Sequence, residues 1–283
     1  MTDHQKHYDL IICIRCHQWS DLVLDTIEAI EHYTDPETTL VTCAVDRNNL
    51  ALAKTLDARI PGRVFCSTNS WGWGAGLYGL LVESILWLEE HFNYQHFMTV
   101  DYDTYFIGHG ADHHILNKID APDIGVIGAY KKRENRWAAI FRRDEDRIKM
   151  MLRRPIPSDY MAGEGVQGGC FLMTRGLIQQ LACQGFFERP ASTPNEFTGL
   201  ADDHLILLYM RMVGMRVVPY AADDGMCVEW ELTRNAFDLD KEGIKVFHPT
   251  KIRAANRNKT VDYQVRNHYR KLRGRPPMKV TKR

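Results

Sequence analysis

The sequence predicts an α/β protein with a mostly parallel β-sheet and helices on both faces of that sheet. Strand-like apolar segments alternate with segments of helical periodicity over the first hundred residues, which is the pattern of βαβ units. The chain has 283 residues, 45% of them apolar and 25% charged, which suits one large α/β domain or two small ones. Polar residues also follow several predicted strands, which is where such sheets bind ligands.

The first half of the chain supplies the regular part of this pattern. Short apolar runs predict four strands, at 8–15, 39–46, 63–69 and 97–100. Helices are expected between them: one with an apolar face of Leu22, Leu24, Ile27 and Ile30, one at 49–56 and one at 76–91. The order is therefore strand, helix, strand, helix, strand, helix, strand.

The second half is less regular. Strands are expected at 123–130, 165–174 and 243–251, a helix followed by a strand at 200–218, and a charged helix or exposed excursion at 131–155. We find no internal repeat and no linker of Pro, Gly and Ser before the C-terminal region. Two parts are expected: an α/β domain at 1–251 and a basic tail at 252–283.

The net charge of zero hides a strong asymmetry along the chain. Residues 251–283 hold twelve Lys and Arg against the single acid Asp262, a net of +11, so the rest carries 24 bases against 35 acids, a net of −11. Such a tail could bind an anionic membrane surface or a nucleic acid. The alternative is a solvated end that folds against the acidic body.

The location is expected to be cytoplasmic, at a membrane surface if the tail binds there. The first residues show no apolar region followed by a cleavage site, and no apolar stretch is long enough to cross a bilayer. Seven scattered cysteines indicate free thiols in a reducing compartment. Cys13 and Cys16 form a CxxC inside a strand-like run, where plain packing is favoured over redox or metal chemistry.

The stretch FMTVDYDTYFIG contains the first candidate site. Phe97–Val100 reads as a buried strand, so Asp101 and Asp103 lie at its carboxyl end. Paired carboxylates are costly to bury without a positive partner. A divalent cation, Mg²⁺ or Mn²⁺, would supply that charge through hard oxygen ligands. The structural alternative is an Asx turn or a helix N-cap.

A second acidic pair opens the predicted helix at 200–218. Capping and the helix dipole explain one acid at such a position, but Asp202 and Asp203 are two. The functional interpretation is a general base. His248 ends the last predicted strand; it is either a packed or surface residue or a third metal ligand.

Further polar and glycine residues lie at strand ends. Asp46 and Asn69 follow the second and third strands. Gly168 and Gly169 indicate either a close approach of a ligand or of backbone, or a bulge. Trp71 and Trp73 could stack on a base or sugar, although core packing is slightly favoured.

Taken in order, these pieces resemble the GT-A fold of nucleotide-sugar-dependent glycosyltransferases. The similarity covers about residues 8–251. It rests on an ordered set: Asp46, Asn69 before a Gly-rich helix start, Asp101-Tyr102-Asp103, the GGCF strand, Asp202-Asp203 and His248.

The resemblance implies a role for each residue. Asp101 and Asp103 would hold Mn²⁺ or Mg²⁺ and the donor diphosphate, with His248 joining the metal. Asp46 and Asn69 would lie on the nucleotide-sugar side, with Asp46 at the nucleoside. Asp203 would be the catalytic base of an inverting enzyme, with Asp202 beside it, and Gly168 and Gly169 would lie on the acceptor side. The pair is Asp-Asp where Glu-Asp is more usual, which leaves open which acid is the base. The first strand ends in CIRCHQW, unlike the best-known members, and Arg15 is assigned there as a nucleotide contact.

The resulting hypothesis is a metal-dependent, inverting glycosyltransferase that uses a nucleoside-diphosphate sugar, with a UDP-sugar as first expectation and an acceptor left open. One rival is a phosphohydrolase of the haloacid-dehalogenase type, whose DxDxT motif meets Tyr105 at its last position here. The other is a non-catalytic relative whose basic tail binds a polyanion or a membrane.

Overall fold

The computed structural model describes residues 6–72, 74–132, 134–220, 225–250 and 259–279, with the side chains of 259–261 excepted. Its strands are β1 (His7–Cys16), β2 (Thr39–Val45), β3 (Val64–Cys66), β4 (Asn93–Asp101), β5 (Tyr105–Phe106), β6 (Ile124–Lys131), β7 (Gly165–Thr174), β8 (Arg216–Pro219), β9 (Met226–Val228) and β10 (Val246–His248). Its helices are α1 (Ser20–Tyr33), α2 (Leu50–Asp57), α3 (Gly76–His91), α4 (Ala111–Leu116), α5 (Asn135–Leu152), α6 (Arg175–Cys183), α7 (Asp202–Met212) and α8 (Lys259–Leu272).

The central sheet has seven strands in the order β3-β2-β1-β4-β7-β6-β8. Strand β7 runs antiparallel to both of its neighbours, and the other four pairings are parallel. The start of β7 therefore meets the carboxyl ends of β1 and β4 at one edge of the sheet. A three-stranded sheet, β5-β10-β9, lies beside this edge.

Both faces of the central sheet are covered by helices, as the sequence predicts. On one face Ile12 and Ile14 of β1 pack in a core with apolar residues of α1, α2, α4 and α8. On the other face Ile11 and Cys13 pack with α3, α5, α6 and α7. Alternate residues of a strand point to opposite faces, and the run LIICI at 10–14 is apolar throughout because both of its faces are buried.

The predicted elements agree with this architecture, and the fold class is confirmed. Helix α3 and strand β7 have the predicted bounds, whereas β3 spans only three residues, 64–66, of the predicted 63–69. Sequence reasoning missed β5, α4, α6, β9 and α8. The strands among them have two or three residues, too few to show a period of two.

The described part of the basic tail is folded against the body of the protein. Helix α8 buries Tyr263, Val265 and Tyr269 in the core it shares with α1. Arg266 and Arg270 of α8, and Arg273 just after it, form ion pairs with Asp25 of α1. This is the arrangement that the folded alternative predicts. The proposed domain boundary lies outside the described residues, and membrane or nucleic-acid binding stays a prediction.

No helix within the described residues is long and apolar enough to cross a membrane. All seven cysteines are free thiols. Cys13 and Cys16 pack on opposite faces of the sheet, and burial raises the pKa of the Cys13 thiol to about 12. Both thiols therefore have the packing environment that the sequence favoured.

Candidate active site

Arg15 supplies part of the positive charge that the paired aspartates require. It lies beside Asp101 in the register of β1 with β4, and it is almost fully buried. Its guanidinium donates a hydrogen bond of 2.9 Å to Asp101 Oδ1, and it also donates to the Asp202 carboxylate and the Gly168 carbonyl. Arg15 thus holds the two acidic pairs together, and its assignment as a nucleotide contact stays a prediction.

Asp101, Asp103 and His248 come together as a group that could hold a metal ion. One ligand atom of each lies within 4.8 Å of the others. The distance from His248 Nε2 to Asp103 Oδ1 is 3.5 Å, and His248 Nδ1 lies 3.2 Å from the Glu229 carbonyl. When the Nδ1–H group donates a hydrogen bond to that carbonyl, Nε2 presents its lone pair to Asp101 and Asp103, as in many metal sites.

The protonation of His248 depends on its carboxylate neighbours. Burial alone would lower the pKa of His248, but Asp103 and Asp101 outweigh burial and raise it above the ordinary histidine value. The two carboxylates therefore favour the protonated form of the imidazole, as expected where negative charge is concentrated. A divalent cation would replace that proton.

Two glycines of β7 make room for the side chains of this site. A Cβ at Gly169 would overlap the His248 ring. A Cβ at Gly168 would lie 3.2 Å from the Cβ of Asp203, closer than most side-chain contacts. The close approach that the sequence suggested is thus made by protein side chains, and contact with an acceptor stays a prediction.

Asp202 and Asp203 occupy the first turn of α7, and both are buried. Asp202 is paired with Arg15, whereas Asp203 Oδ1 has no hydrogen-bond partner in the described part of the chain. Burial, and then the charge of Asp202, raise the pKa of Asp203 well above the ordinary aspartate value. Burial raises the pKa of Asp202 as well, but Arg15 opposes that shift and occupies the Asp202 carboxylate, so the oxygen without a partner favours Asp203 over Asp202 as base.

Sequence reasoning missed His204, which lies next to Asp203 on α7. Its Nδ1 is 2.8 Å from the Glu164 carbonyl, so its Nε2 carries the lone pair. That Nε2 is 3.9 Å from Asp203 Oδ1 and 3.9 Å from Glu134 Oε2. A single histidine in an apolar helix forms no sequence motif. Its position beside Asp203 can be seen only in the folded protein, where Gly165 of β7 lies against its ring.

His204 makes the stability of the fold sensitive to acid. Burial lowers the pKa of His204 from 6.5 to about 4, so the ring is neutral at pH 7. The unfolded chain binds the proton first, and we expect the free energy of unfolding to fall as the pH drops from 6.5 to about 4. At about 1.4 kcal/mol per unit, this residue contributes about 3 kcal/mol at most.

Denaturant titrations between pH 4 and 7 would measure this effect. The variant His204→Asn keeps a donor for the Glu164 carbonyl but does not titrate, so its stability should depend less on pH in this window. Equal slopes in the two proteins would contradict the assignment.

A cleft of about 910 Å³ opens beside the metal-ligand group. Arg15, Asp46, Asp101 and Asp103 are among the side chains that line it. Asp46 Oδ2 accepts a hydrogen bond of 2.9 Å from the Trp71 amide, and its Oδ1 accepts one of 3.1 Å from the Asn48 amide. The cleft thus joins the Asp46 end of the sheet to the paired aspartates.

Two of the other predicted residues lie elsewhere. Asn69 does not line this cleft, and its side-chain amide donates a hydrogen bond to Glu83 in the middle of α3. The Trp71 ring packs against Gly79 of α3, where a Cβ would overlap it, which is the core role that was slightly favoured. Trp73 lies outside the described residues.

No protein-family model matches the chain, and no curated protein matches it. Among solved structures it is similar to the apo form of mouse xyloside xylosyltransferase 1, with 9% identity over 86% of this chain and 97% of that one and a TM-score of 0.45. It is similar to a mannosyltransferase from Pyrobaculum calidifontis in complex with GDP-Man and Mn²⁺, with 12% identity over 98% and 67% of the chains and a TM-score of 0.48. A glycosyltransferase involved in glycosylation of the major capsid of PBCV-1 shares 10% identity over 91% and 98%, with a TM-score of 0.45. At these values, function has to be argued from the side chains of the site.

Proposed function

We propose that this protein is a metal-dependent glycosyltransferase that moves a sugar from a nucleoside-diphosphate sugar to an acceptor hydroxyl with inversion. One observation carries the proposal. A single edge of the sheet brings together a group of two carboxylates and an imidazole, a large cleft, and a buried carboxylate with an unpaired oxygen. A donor diphosphate needs the first two features, and an acceptor hydroxyl needs the third.

The residues present fit a divalent cation. Asp101 and Asp103 offer hard oxygen atoms, and His248 Nε2 is turned toward them by the bond of its other nitrogen to the Glu229 carbonyl. This mixed set suits Mn²⁺, and the two carboxylates also suit Mg²⁺. When bound, the ion would neutralise negative charge on the departing nucleoside diphosphate.

The cleft is the proposed binding site of the donor. Its volume of about 910 Å³ lies in the range of cofactor-sized pockets. Asp46 lies along the cleft from Asp101 and Asp103, so it is the proposed contact to the nucleoside while the paired aspartates face the diphosphate. A UDP-sugar is the first candidate donor.

Asp203 is the proposed base. The acceptor oxygen attacks the anomeric carbon on the face opposite the diphosphate, and the proton of that hydroxyl passes to Asp203. The new carbon–oxygen bond forms as the bond to the diphosphate oxygen breaks, and the electron pair leaves with the diphosphate. Attack from the opposite face inverts the configuration of the anomeric carbon.

The donor site can be tested by thermal unfolding with UDP, GDP, CMP and dTDP, each with Mn²⁺ or with EDTA. A ligand at a hundredfold excess over its Kd should stabilise the folded protein by about 2.7 kcal/mol. We expect one diphosphate to stabilise the protein only with Mn²⁺. No shift with any nucleotide would contradict the proposal. Formation of a covalent aspartyl phosphate would favour the phosphohydrolase, and tight polyanion binding without turnover would favour the non-catalytic relative.

A further inference from the structure

Helix α8 holds the turn that carries the paired aspartates through a hydrogen bond to its backbone. Tyr102 separates Asp101 from Asp103, and its carbonyl accepts two hydrogen bonds. Arg266 Nη2 of α8 donates one of 2.7 Å, and Thr26 Oγ1 of α1 donates the other, also of 2.7 Å. The basic C-terminal region therefore reaches the backbone of the candidate metal site.

Arg266 is fully buried and its polar atoms are extensively paired. Its Nε donates 2.8 Å to Asp262, and its Nη1 lies 3.1 Å from Asp25 Oδ2 and 3.0 Å from Thr26 Oγ1. A buried charge of this kind is costly unless every partner is in place, so the guanidinium has little freedom to move. The fork geometry of arginine lets it hold α1, α8 and the turn at once.

Other hydrogen bonds hold the turn on either side of the Tyr102 carbonyl, to which Arg266 and Thr26 donate. The Asp101 side chain is held by Arg15. The Thr104 amide donates 2.9 Å to the Asp101 carbonyl, and the Thr250 amide donates 2.9 Å to the Asp103 carbonyl. Because the Tyr102 carbonyl lies between the two carboxylate residues, a rotation of its peptide would move both ligands.

We propose that Arg266 is a positioning residue that fixes the turn between Asp101 and Asp103 and so preorganises the metal ligands. The part of this inference that concerns metal affinity rests on the proposed function. Loss of partners behind metal ligands commonly costs 10–100-fold in metal affinity. A role limited to overall stability would lower the unfolding temperature of Arg266 variants without changing the turn or its affinity for metal.

The chain offers a matched control for this distinction. Arg270 lies one turn further along α8 and its Nη1 donates 2.7 Å to the same acid, Asp25, yet none of its hydrogen bonds reaches residues 101–106. Arg270→Met therefore removes a bond to the shared carboxylate and spares the turn. Thr26→Val removes the second donor to the Tyr102 carbonyl with little change of shape.

The experiment compares the full-length wild type with Arg266→Met, Thr26→Val and Arg270→Met. Hydrogen exchange of the Thr104 and Thr250 amides reports on the turn without any ligand, and Mn²⁺ alone, followed by the electron paramagnetic resonance of the free ion, reports on affinity. In Arg266→Met we expect amide exchange to accelerate about tenfold or more and Mn²⁺ affinity to fall about 10–100-fold. Thr26→Val should change both in the same direction by less, and Arg270→Met should stay within about twofold of the wild type.

Unchanged exchange in both Arg266→Met and Thr26→Val would overturn the proposal, as would equal loosening in Arg270→Met. If Arg266→Met does not fold, Thr26→Val against Arg270→Met decides the question. If the wild type binds no Mn²⁺, that result contradicts the proposed function. The exchange comparison needs no metal, so it still shows whether Arg266 holds the turn.

Discussion

Replacing Asp203 by asparagine is expected to lower kcat on the order of 10²–10⁴-fold while raising the midpoint of thermal unfolding at neutral pH. The value of kcat falls because asparagine has the shape of aspartate but cannot take the proton from the hydroxyl of the acceptor. The midpoint rises because the Asp203 carboxylate is buried beside Asp202 with one oxygen unpaired in the described part of the chain, whereas asparagine carries no charge there. Each kcal/mol recovered should raise the midpoint by about 2–4 °C.

The sign of the stability change depends on pH in a way that can be checked. Burial and then Asp202 raise the pKa of Asp203 in the folded state. Above the ordinary aspartate pKa of about 3.9 the unfolded chain binds fewer protons at this residue, so its contribution to the free energy of unfolding falls as the pH rises. The advantage of Asp203→Asn should therefore be present at pH 7 and shrink toward pH 4.

The neighbouring variant Asp202→Asn is the matched control. Asp202 is paired with Arg15, so its replacement takes away the charge of one of the two carboxylates that face a buried guanidinium, and we expect the variant to be less stable than the wild type at pH 7. Differential scanning calorimetry of both variants, together with their steady-state rates, separates the two roles. Full activity of Asp203→Asn would remove Asp203 as the base.

Replacing Asp103 by alanine is expected to weaken Mn²⁺ binding by more than about 100-fold, since loss of outer partners alone can cost 10–100-fold. The reason is that Asp103 supplies a buried oxygen to the group and faces His248 Nε2 at 3.5 Å. The Mn²⁺-dependent stabilisation by a nucleoside diphosphate should disappear with it. Isothermal titration with Mn²⁺ and the thermal panel would measure both effects.

Asp112→Ala tests whether such a loss is specific to the site. Asp112 is equally buried, and its Oδ2 accepts bonds from the Asp35 amide and Thr39 Oγ1. We expect this variant to lose stability but to keep its affinity for Mn²⁺. The same stabilisation by Mn²⁺ and nucleotide in Asp103→Ala and in the wild type would contradict the metal assignment.

The sequence predicts most elements of the central sheet and its helices because the spacing of apolar residues within each element is a local property of the chain. Helix α3 has the predicted bounds, 76–91, since its apolar residues recur at helical spacing, and β7 has its predicted bounds because both of its faces are buried. The reversed direction of β7 is not local. It follows from which strands it pairs with, and no run of residues within β7 records its direction.

The candidate site was predictable where a residue follows a strand, and less so where it acts through a partner. Asp101, Asp103 and His248 each lie at or just beyond a strand end, and the structure brings them together. Arg15 was noticed, but its bonds to Asp101 and Asp202 join residues far apart in the chain. The charge of the tail predicts only what the tail could bind, and it gives no sign that Arg266 is buried and bonded to the Tyr102 carbonyl.

The bond between Arg266 and Asp25 spans 241 residues of chain. During synthesis, strands β1, β2 and β4 can pair long before residue 266 has left the ribosome, whereas the turn at Tyr102 gains its arginine only afterwards. Contacts of such separation close late, because the intervening loop must first be ordered. A nascent chain would therefore hold most strands of the central sheet before the turn between Asp101 and Asp103 gains its bond from Arg266.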